Sequence, residues 1–476
     1  MPRSAPFLLL PLLVAGCYGL AANDGGGGAD FSPPRVAEGS DVLLPPGYRI
    51  EVVATGLTYP TGIAFDGDGV PHVVEAGYSY GEDFRPARLL RLEADGTRVV
   101  IAEDRANVPW NGVAWHDGVF MVSASGQEEQ PAGGGKILRI RDGHVIPLVD
   151  GLPGRGDHHT NGPAMGPDGW LYFAQGTATN SGVVGLDNWE MGWLREYPDY
   201  HDQPCADIVL RGENFTTRAP EGMAGRQGTV VTGAFVPYGI PTRPGQVIQG
   251  TFPCAGAVMR VRPEGGRPEL VAWGFRNPFG LAFDGQGRLF VSENAYDRRG
   301  SRPVFGTADH LWRVELGAWY GWPDFSGGKP LRDTPPLLAR HPGRPPMPAA
   351  FFAVHSSANG FDFSRSPVFG HVGHAFVAQF GDLTPNTGKL LAPTGFRVVE
   401  VDVETGVIHD FAVNAGKVAG PASWGRTRGL ERPIDASFDP SGRALYVVDF
   451  GILTVDEKGM HPYPGTGVVW RIVRDG

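Results

Sequence analysis

The segment Phe279-Gly-Leu-Ala-Phe283 leads into the turn Asp284-Gly-Gln-Gly287, and a second apolar strand follows. Apolar segments on both sides of an Asp-Gly type turn predict an antiparallel hairpin. Related segments begin at five other places: Thr61, Asn111, Asn161, Asn359 and Ile434. A third strand with an internal arginine alternates with these hairpins: Leu89-Leu-Arg-Leu92, Ile137-Leu-Arg-Ile140, Val258-Met-Arg-Val261, Leu311-Trp-Arg-Val314, Phe396-Arg-Val-Val399 and Val469-Trp-Arg-Ile472.

This sixfold alternation predicts an all-β chain that folds as a six-bladed β-propeller. One hairpin with its third strand cannot bury its own apolar face, so consecutive units must cover one another. Six four-stranded blades around a central channel satisfy that requirement. The third and fourth hairpins are unusually far apart, so we expect a long insertion in the third blade region, at about residues 177–257. A β-sandwich is the alternative architecture.

Composition limits the class of partner. The net charge of −10 argues against a nucleic-acid surface, because such binding depends on Lys and Arg that neutralise phosphates. A hydrophobic fraction of 41% is enough for one large packed body. We therefore expect no nucleic-acid partner, although local basic pockets are still allowed.

The N-terminus has the pattern of an export leader. Arg3 precedes an apolar run, too short to span a bilayer, that ends in Val14-Ala-Gly-Cys17 and resembles the bacterial lipobox. We predict a lipoprotein-type signal peptide over residues 1–17, a flexible tether over 18–40 and the propeller over 41–476. The protein would then be exported, periplasmic or anchored to the outer membrane only through a lipid on Cys17. An ordinary signal peptide is the alternative.

Two further cysteines, Cys205 and Cys254, both lie in the predicted insertion. In an exported protein they are expected to form a disulfide, with two buried free thiols as the alternative. The chain has no Cys-x-x-Cys-His motif for covalent haem.

The insertion also carries aromatic residues that either stack on sugar rings or form a small core of their own: Trp189, Trp193, Tyr197 and Tyr200.

The ends of the six inner hairpins predict where chemistry takes place. In an antiparallel hairpin, the start of the first strand and the end of the second lie at the same edge. Around one mouth of the channel this rule places six pairs: Tyr59 with Glu75, Trp110 with Ser125, His158 with Gln175, Arg276 with Glu293, His355 with Gln379, and Arg432 with Asp449. So many titratable groups indicate a polar ligand pocket, unless several of them only cap turns.

Four segments together carry a family resemblance: Asp157-His-His-Thr-Asn-Gly-Pro-Ala-Met165, Trp273-Gly-Phe-Arg-Asn-Pro-Phe279, Gly317-Ala-Trp-Tyr-Gly-Trp-Pro323 and Arg432-Pro-Ile-Asp435. They resemble the quinoprotein glucose and sorbosone dehydrogenase family, of the soluble aldose sugar dehydrogenase type. The resemblance implies a six-bladed propeller that uses pyrroloquinoline quinone (PQQ) and calcium to oxidise a sugar.

By this resemblance the general base is His158. His159 is the competing assignment, and since adjacent residues of an extended chain face opposite sides, only one of them is expected to serve. Well-studied soluble members carry an acidic residue, which orients the histidine, where this chain has Thr177. Either Asp157 or Glu75 takes that role here, or the oxidation chemistry is impaired.

The resemblance also implies cofactor and metal contacts. Arg276 and Asn277 match the pair that lies against the cofactor. Lys389, placed by rough alignment, is either a further basic contact or an exposed loop lysine. The backbone carbonyls of Ala295 and Tyr296 are where calcium would bind.

Three functions remain open on the sequence. The leading one is a PQQ-dependent dehydrogenase for an aldose or related polyol, which passes electrons to a separate cytochrome or quinone. A second is a calcium-dependent six-bladed lactonase, whose metal would need side chains such as Glu75, Glu293, Asn294 and Asp449. The third is a propeller that has lost the cofactor and serves as a non-catalytic recognition module.

Overall fold

The structure is a computed structural model that describes residues 31–77, 84–125, 134–154, 156–223, 228–388, 392–416, 420–456 and 459–475. The predicted signal peptide with Cys17, and also Lys389, lie outside the described residues. Among the described residues, no helix has the length and hydropathy needed to cross a bilayer. The described chain opens with a 3₁₀ turn (Gly39–Asp41) and strands β1 (Val42–Leu43) and β2 (Tyr48–Leu57).

Six antiparallel sheets follow one another along the chain. Blade 1 contains β3 (Pro60–Phe65), β4 (Pro71–Glu75), β5 (Ala87–Leu92) and β6 (Arg98–Asp104). Blade 2 contains β7 (Trp110–His116), β8 (Val119–Ala124), β9 (Gly135–Arg141) and β10 (His144–Leu152). Blade 3 begins with β11 (Thr160–Met165) and β12 (Leu171–Gln175).

An excursion interrupts blade 3. It contains α1 (Leu186–Glu190), α2 (Trp193–Glu196), β13 (Ile208–Val209), β14 (Asn214–Arg218), β15 (Thr229–Gly233) and β16 (Val247–Ile248). The blade is then completed by β17 (Ala257–Val261) and β18 (Glu269–Trp273). Cys205 and Cys254 form a disulfide inside the excursion, as the sequence predicts.

The last three blades complete the ring. Blade 4 contains β19 (Asn277–Phe283), β20 (Leu289–Asn294), β21 (Ala308–Arg313), a ribbon of β22 (Phe325–Ser326) and β23 (Lys329–Pro330), and β24 (Ala350–Val354). Blade 5 contains β25 (Ala358–Phe363), β26 (Ala375–Gln379), β27 (Arg397–Asp402) and β28 (Val407–Asn414), with β1 at its edge. After α3 (Ala422–Gly425), blade 6 contains β29 (Pro433–Phe438), β30 (Ala444–Asp449), a ribbon of β31 (Leu453–Asp456) and β32 (Gly459–Pro462), and β33 (Gly467–Arg474).

The N-terminal strand β2 closes the propeller. It pairs with β33 and so supplies the outer strand of blade 6. The innermost strands β3, β7, β11, β19, β25 and β29 contact one another in sequence around the channel. This ring of six sheets confirms the predicted six-bladed propeller.

The repeated Gly in the hairpin segments has a steric cause. Gly112 has φ +135°, and a Cβ added there would collide with the carbonyl oxygen of Gly162 in the next blade. A Cβ on Gly280 would lie 2.6 Å from the carbonyl oxygen of Asn359. Glycine therefore lets neighbouring inner strands approach closely at the channel.

Apolar side chains fill the spaces between blades. Between blades 5 and 6, Phe376, Leu445 and Trp470 are fully buried in one cluster. The N-terminal segment also packs on the body, because Arg35 forms a 2.6 Å ion pair with Asp449. The last residues of the predicted tether therefore belong to the packed body.

Candidate active site

A cavity of about 200 Å³ lies where the inner hairpins of blades 3, 4 and 5 begin. Its polar lining consists of Asp157, His158, His159, Arg276, Asn277, Asn294, Asp297, Arg299, Asp309, His355, Ser357, Asp382, Asn386 and Thr387. Met191 and Trp193 from the excursion and Met460 from blade 6 add apolar surface. Of the hairpin starts named by the sequence, the structure brings His158, Arg276 and His355 together here.

His158 is held by the residue that departs from the family pattern. Its Nδ1 lies 2.9 Å from the backbone carbonyl oxygen of Thr177 and 3.1 Å from the hydroxyl of the same residue. That hydroxyl donates its own proton to the carbonyl of Thr179 at 2.7 Å. The carbonyl can only accept, so neutral His158 carries its proton on Nδ1 and leaves Nε2 as the acceptor.

The surroundings of His158 favour the neutral ring. The residue is 5% exposed. Burial, together with the positive charges of Arg276 and Arg299, lowers the pKa of His158 well below its ordinary value. Such a ring is available as a base at neutral pH.

The expectation that His158 and His159 face opposite sides is wrong. Both line the cavity, because the backbone bends at residues 156–158 instead of running extended. Burial lowers the pKa of His159 to about 4. The contact with Thr177 distinguishes His158 from its neighbour.

Arg276 precedes β19 and is 3% exposed. Its guanidinium donates to the Asp297 carboxylate at 2.7 Å, to the Asn180 side-chain oxygen at 3.0 Å and to the Asn294 carbonyl at 3.2 Å. The next residue, Asn277, donates to the Asn294 side chain at 3.2 Å. Arg276 and Asn277 therefore lie side by side at the cavity.

The sequence did not predict the second guanidinium at the cavity, that of Arg299. Arg299 contacts three carboxylates: Asp157 at 2.8 Å, Asp187 at 2.7 Å and Asp297 at 3.2 Å. Burial alone would lower the pKa of Arg299, but these negative charges raise it well above the ordinary value. Asp157 is thus engaged with Arg299 and does not replace the family's acid at His158.

The two predicted calcium ligands follow β20. Ala295 lines the cavity, and its N–H donates to Asp309 at 2.9 Å. Burial raises the pKa of Asp309. Tyr296 is also buried, but its hydroxyl donates to the Phe325 carbonyl at 2.9 Å, away from the described cavity lining.

The acids at the hairpin ends cap their own blades. Glu293 accepts the Arg276 N–H at 2.6 Å and the Trp312 indole N–H at 2.6 Å. Glu75 accepts the backbone N–H of Thr58 at 2.7 Å and pairs with Arg88 at 2.7 Å.

Blade 6 repeats this arrangement. Asp449 accepts the Arg432 N–H at 2.9 Å and the Trp470 indole N–H at 3.3 Å. Glu75, Glu293 and Asp449 do not belong to the described cavity lining, so of the four side chains that the lactonase hypothesis names, Asn294 alone lines the cavity.

Fold and site together define a six-bladed β-propeller with a charged ligand cavity at one mouth of its channel. No protein-family model matches the sequence, and no curated protein is significantly similar to it.

Solved structures are similar in fold. The PQQ-bound aldose sugar dehydrogenase of Streptomyces coelicolor is 18% identical, with a TM-score of 0.52 over 90% of this chain and 99% of that one. The holo PQQ domain of Coprinopsis cinerea pyranose dehydrogenase is 15% identical, with a TM-score of 0.55 over 93% and 98%. The apo-form of the soluble aldose sugar dehydrogenase of Escherichia coli is 13% identical, with a TM-score of 0.53 over 90% and 99%. The structural neighbours are thus those that the sequence resemblance predicted, and at these identities they establish the fold.

The cavity residues fit the cofactors that the resemblance implies. A tricarboxylate such as PQQ needs guanidinium and amide donors, which Arg276, Arg299 and Asn277 supply. His355 Nε2 is buried without a hydrogen-bond partner among the described residues, and His355 lines the same cavity. A calcium ion needs oxygen donors, and the cavity offers the Asp309 carboxylate, which accepts the Ala295 N–H at 2.9 Å.

Proposed function

We propose that this chain is an exported PQQ-dependent dehydrogenase that oxidises an aldose or a related polyol. The observation that carries the proposal is the meeting of a neutral, tautomer-fixed His158 with Arg276 and Asn277 in one cavity. The similarity in fold to aldose sugar and pyranose dehydrogenases supports the same chemistry.

Oxidation of a CH–OH group removes one proton from oxygen and one hydride from carbon. In this proposal, His158 accepts the hydroxyl proton at Nε2 while the Thr177 carbonyl holds the proton on Nδ1. PQQ, when bound, supplies the ortho-quinone that takes up the hydride. Arg276, Arg299 and Asn277 would hold its carboxylates, and the carbonyls of Ala295 and Tyr296 would hold calcium.

The excursion supplies the sugar-binding wall in this proposal. Trp193 lines the cavity and also packs against the small apolar cluster around Leu194 and Tyr200. An indole fixed in this way offers a flat apolar face to a sugar ring, and nearby Asn386 and Thr387 offer hydrogen bonds to hydroxyls. The aromatic residues of the excursion can therefore provide both a stacking surface for a sugar and a small core.

The test is reconstitution of the purified protein with PQQ and Ca²⁺, followed by dye reduction with a panel of aldoses and polyols. His158→Ala should lower kcat by about 10²- to 10⁴-fold, the usual contribution of a general base. His144→Ala, an exposed histidine on β10, serves as the matched control and should keep full activity. Absence of turnover by the PQQ-saturated wild type would refute the proposal. Sugar binding without PQQ uptake would instead favour the recognition module.

The lipid anchor and the electron acceptor belong to the same proposal. A lipid on Cys17 would place the propeller at the periplasmic side of a membrane, near a cytochrome or quinone that removes the electrons. Expression with radiolabelled palmitate should label the wild type and leave Cys17→Ser unlabelled. Equal labelling of both would rule out an anchor at this residue.

A further inference from the structure

Two histidines and a glutamate come together at the face of the propeller opposite the cavity. His371 and His374 lie in the connection between β25 and β26, and Glu400 lies on β27. The inner hairpin of blade 5 begins at the cavity, so its turn lies at the other end of the channel. We propose that these three residues form a binding site for a divalent d-block cation such as Zn²⁺, independent of the proposed dehydrogenase activity.

The geometry converges on one point. His371 Nδ1 lies 2.5 Å and His374 Nδ1 lies 2.7 Å from the same oxygen, Oε1 of Glu400. One ligand atom of each residue lies within 4.8 Å of the other two. Among the described residues, this is the only group of three or more His, Cys, Asp or Glu side chains that meets this criterion. A cation of this class needs such a cluster of ligand atoms. The two imidazoles and the carboxylate would move slightly apart, so that an ion between them has bond lengths of about 2.0–2.2 Å.

The donor types select the class of metal. Two imidazoles and one carboxylate are a common ligand set for Zn²⁺ and related d-block ions, whereas Ca²⁺ and Mg²⁺ prefer oxygen alone. The Glu400 side chain is 7% exposed, while those of His371 and His374 are 35% and 32% exposed. The buried carboxylate anchors the site, and the exposed side leaves room for a water ligand.

The site lies beside the seam that closes the propeller. Phe369, in the same connection as the histidines, packs against Tyr48 of β2 with ring centroids 5.2 Å apart. The Tyr48 hydroxyl donates to the Phe369 carbonyl at 2.6 Å. A cation would fasten this connection to β27 and thereby support the contact that holds the closing strand β2.

The experiment uses the full, tag-free chain after EDTA treatment and dialysis. Calorimetric titration with Zn²⁺ should give one site per chain, and Co²⁺ should produce visible bands of a low-symmetry site. His371→Ala, His374→Ala and Glu400→Gln should each weaken Zn²⁺ binding at least tenfold, in line with the loss of a direct ligand. His144→Ala should bind as the wild type does.

Thermal unfolding provides an independent readout. A roughly 100-fold excess of Zn²⁺ over the wild-type Kd should raise Tm of the wild type and of His144→Ala clearly more than Tm of Glu400→Gln. Circular dichroism checks that each variant is folded before titration. No 1:1 binding by the wild type, or unchanged affinity in all three ligand variants, would overturn the proposal.

Discussion

The Nδ1 atom of His158 lies 2.9 Å from the backbone carbonyl oxygen of Thr177. The resemblance predicted that an acid would be needed for this role, and the chain instead uses a main-chain atom. A carbonyl fixes the tautomer as well as a carboxylate does, but it brings no full negative charge to stabilise an imidazolium. In the proposed reaction, His158 would therefore act as an oriented base that releases its proton readily.

Thr177→Val should consequently have a small effect on catalysis. The substitution removes the hydroxyl but keeps the carbonyl, so we expect kcat to fall by less than about threefold, against the 10²- to 10⁴-fold loss expected for His158→Ala. Nitrogen NMR shifts of His158 should still report a proton on Nδ1. A kcat for Thr177→Val as low as that of His158→Ala would show that the hydroxyl, and not the carbonyl, positions the ring.

Asp297 should compete with any anionic ligand of the cavity. Its carboxylate lies 2.7 Å from Arg276 and 3.2 Å from Arg299, so a bound carboxylate must share both guanidiniums with it. Asp297→Asn removes that charge and should tighten PQQ binding about tenfold, equivalent to about 1.4 kcal/mol. Quenching of tryptophan fluorescence by PQQ measures the affinity without turnover.

Asp187→Asn is the matched control for this prediction. Asp187 also pairs with Arg299, at 2.7 Å, but is not part of the described cavity lining. Its substitution should change PQQ affinity less than that of Asp297. Both variants should unfold at lower temperature than the wild type, because each leaves a buried guanidinium less well paired. Weaker PQQ binding by Asp297→Asn would show that this acid positions Arg276 for the ligand.

The sequence could predict the propeller because each blade repeats one local solution. A glycine recurs where inner strands approach closely, as at Gly112 and Gly280. Asp-Gly type turns, such as the one at Asp284, recur between the strands of the hairpins. These signals are local, so they survive without any knowledge of the distant parts of the chain. Strand pairing predicted the edge at which Asp449 lies, although its partner in the sheet is Pro433 and not the predicted neighbour Arg432.

The composition of the cavity was harder to predict. Arg432 starts its hairpin as Arg276 does, but its guanidinium is fully buried and donates to the carbonyls of Asp382 and Leu453. Arg299 was missed because its partners come from a loop and from the excursion, which carry no repeating pattern. Which edge residues face a ligand depends on these long-range contacts.

Asp202 should make stability depend on pH. It is 1% exposed and accepts hydrogen bonds from the N–H groups of Ala178 and Thr179, next to Thr177. Burial raises its pKa from 3.8 to about 7. Between pH 4 and pH 7, Asp202 is protonated in the folded state and ionised in the unfolded state. Protonation of Asp202 therefore stabilises the fold fully below pH 4, and this stabilisation is lost as the pH rises to 7.

The contribution amounts to about 4 kcal/mol, at about 1.4 kcal/mol for each unit of pKa. Asp202→Asn should remove it, so the difference in unfolding free energy between the two proteins should change steadily from pH 4 to 7. Urea unfolding at a series of pH values measures this difference, and the other titrating groups cancel in the comparison. A constant difference over that range would mean that Asp202 is ionised in the folded protein.

Loss of the disulfide should loosen the excursion and leave the blades intact. Cys205 and Cys254 close a loop with a sequence separation of 49 residues, and the bridge lies outside every blade. A loop of this length gives an entropic stabilisation of about 4 kcal/mol, an upper value for Cys205→Ser with Cys254→Ser. We expect faster limited proteolysis between residues 177 and 257, with far-UV circular dichroism unchanged. Reduced wild type should behave like the double variant, since only the bond differs. Proteolysis that instead begins in blade 1 or blade 6 would show that the bridge stabilises the ring as a whole.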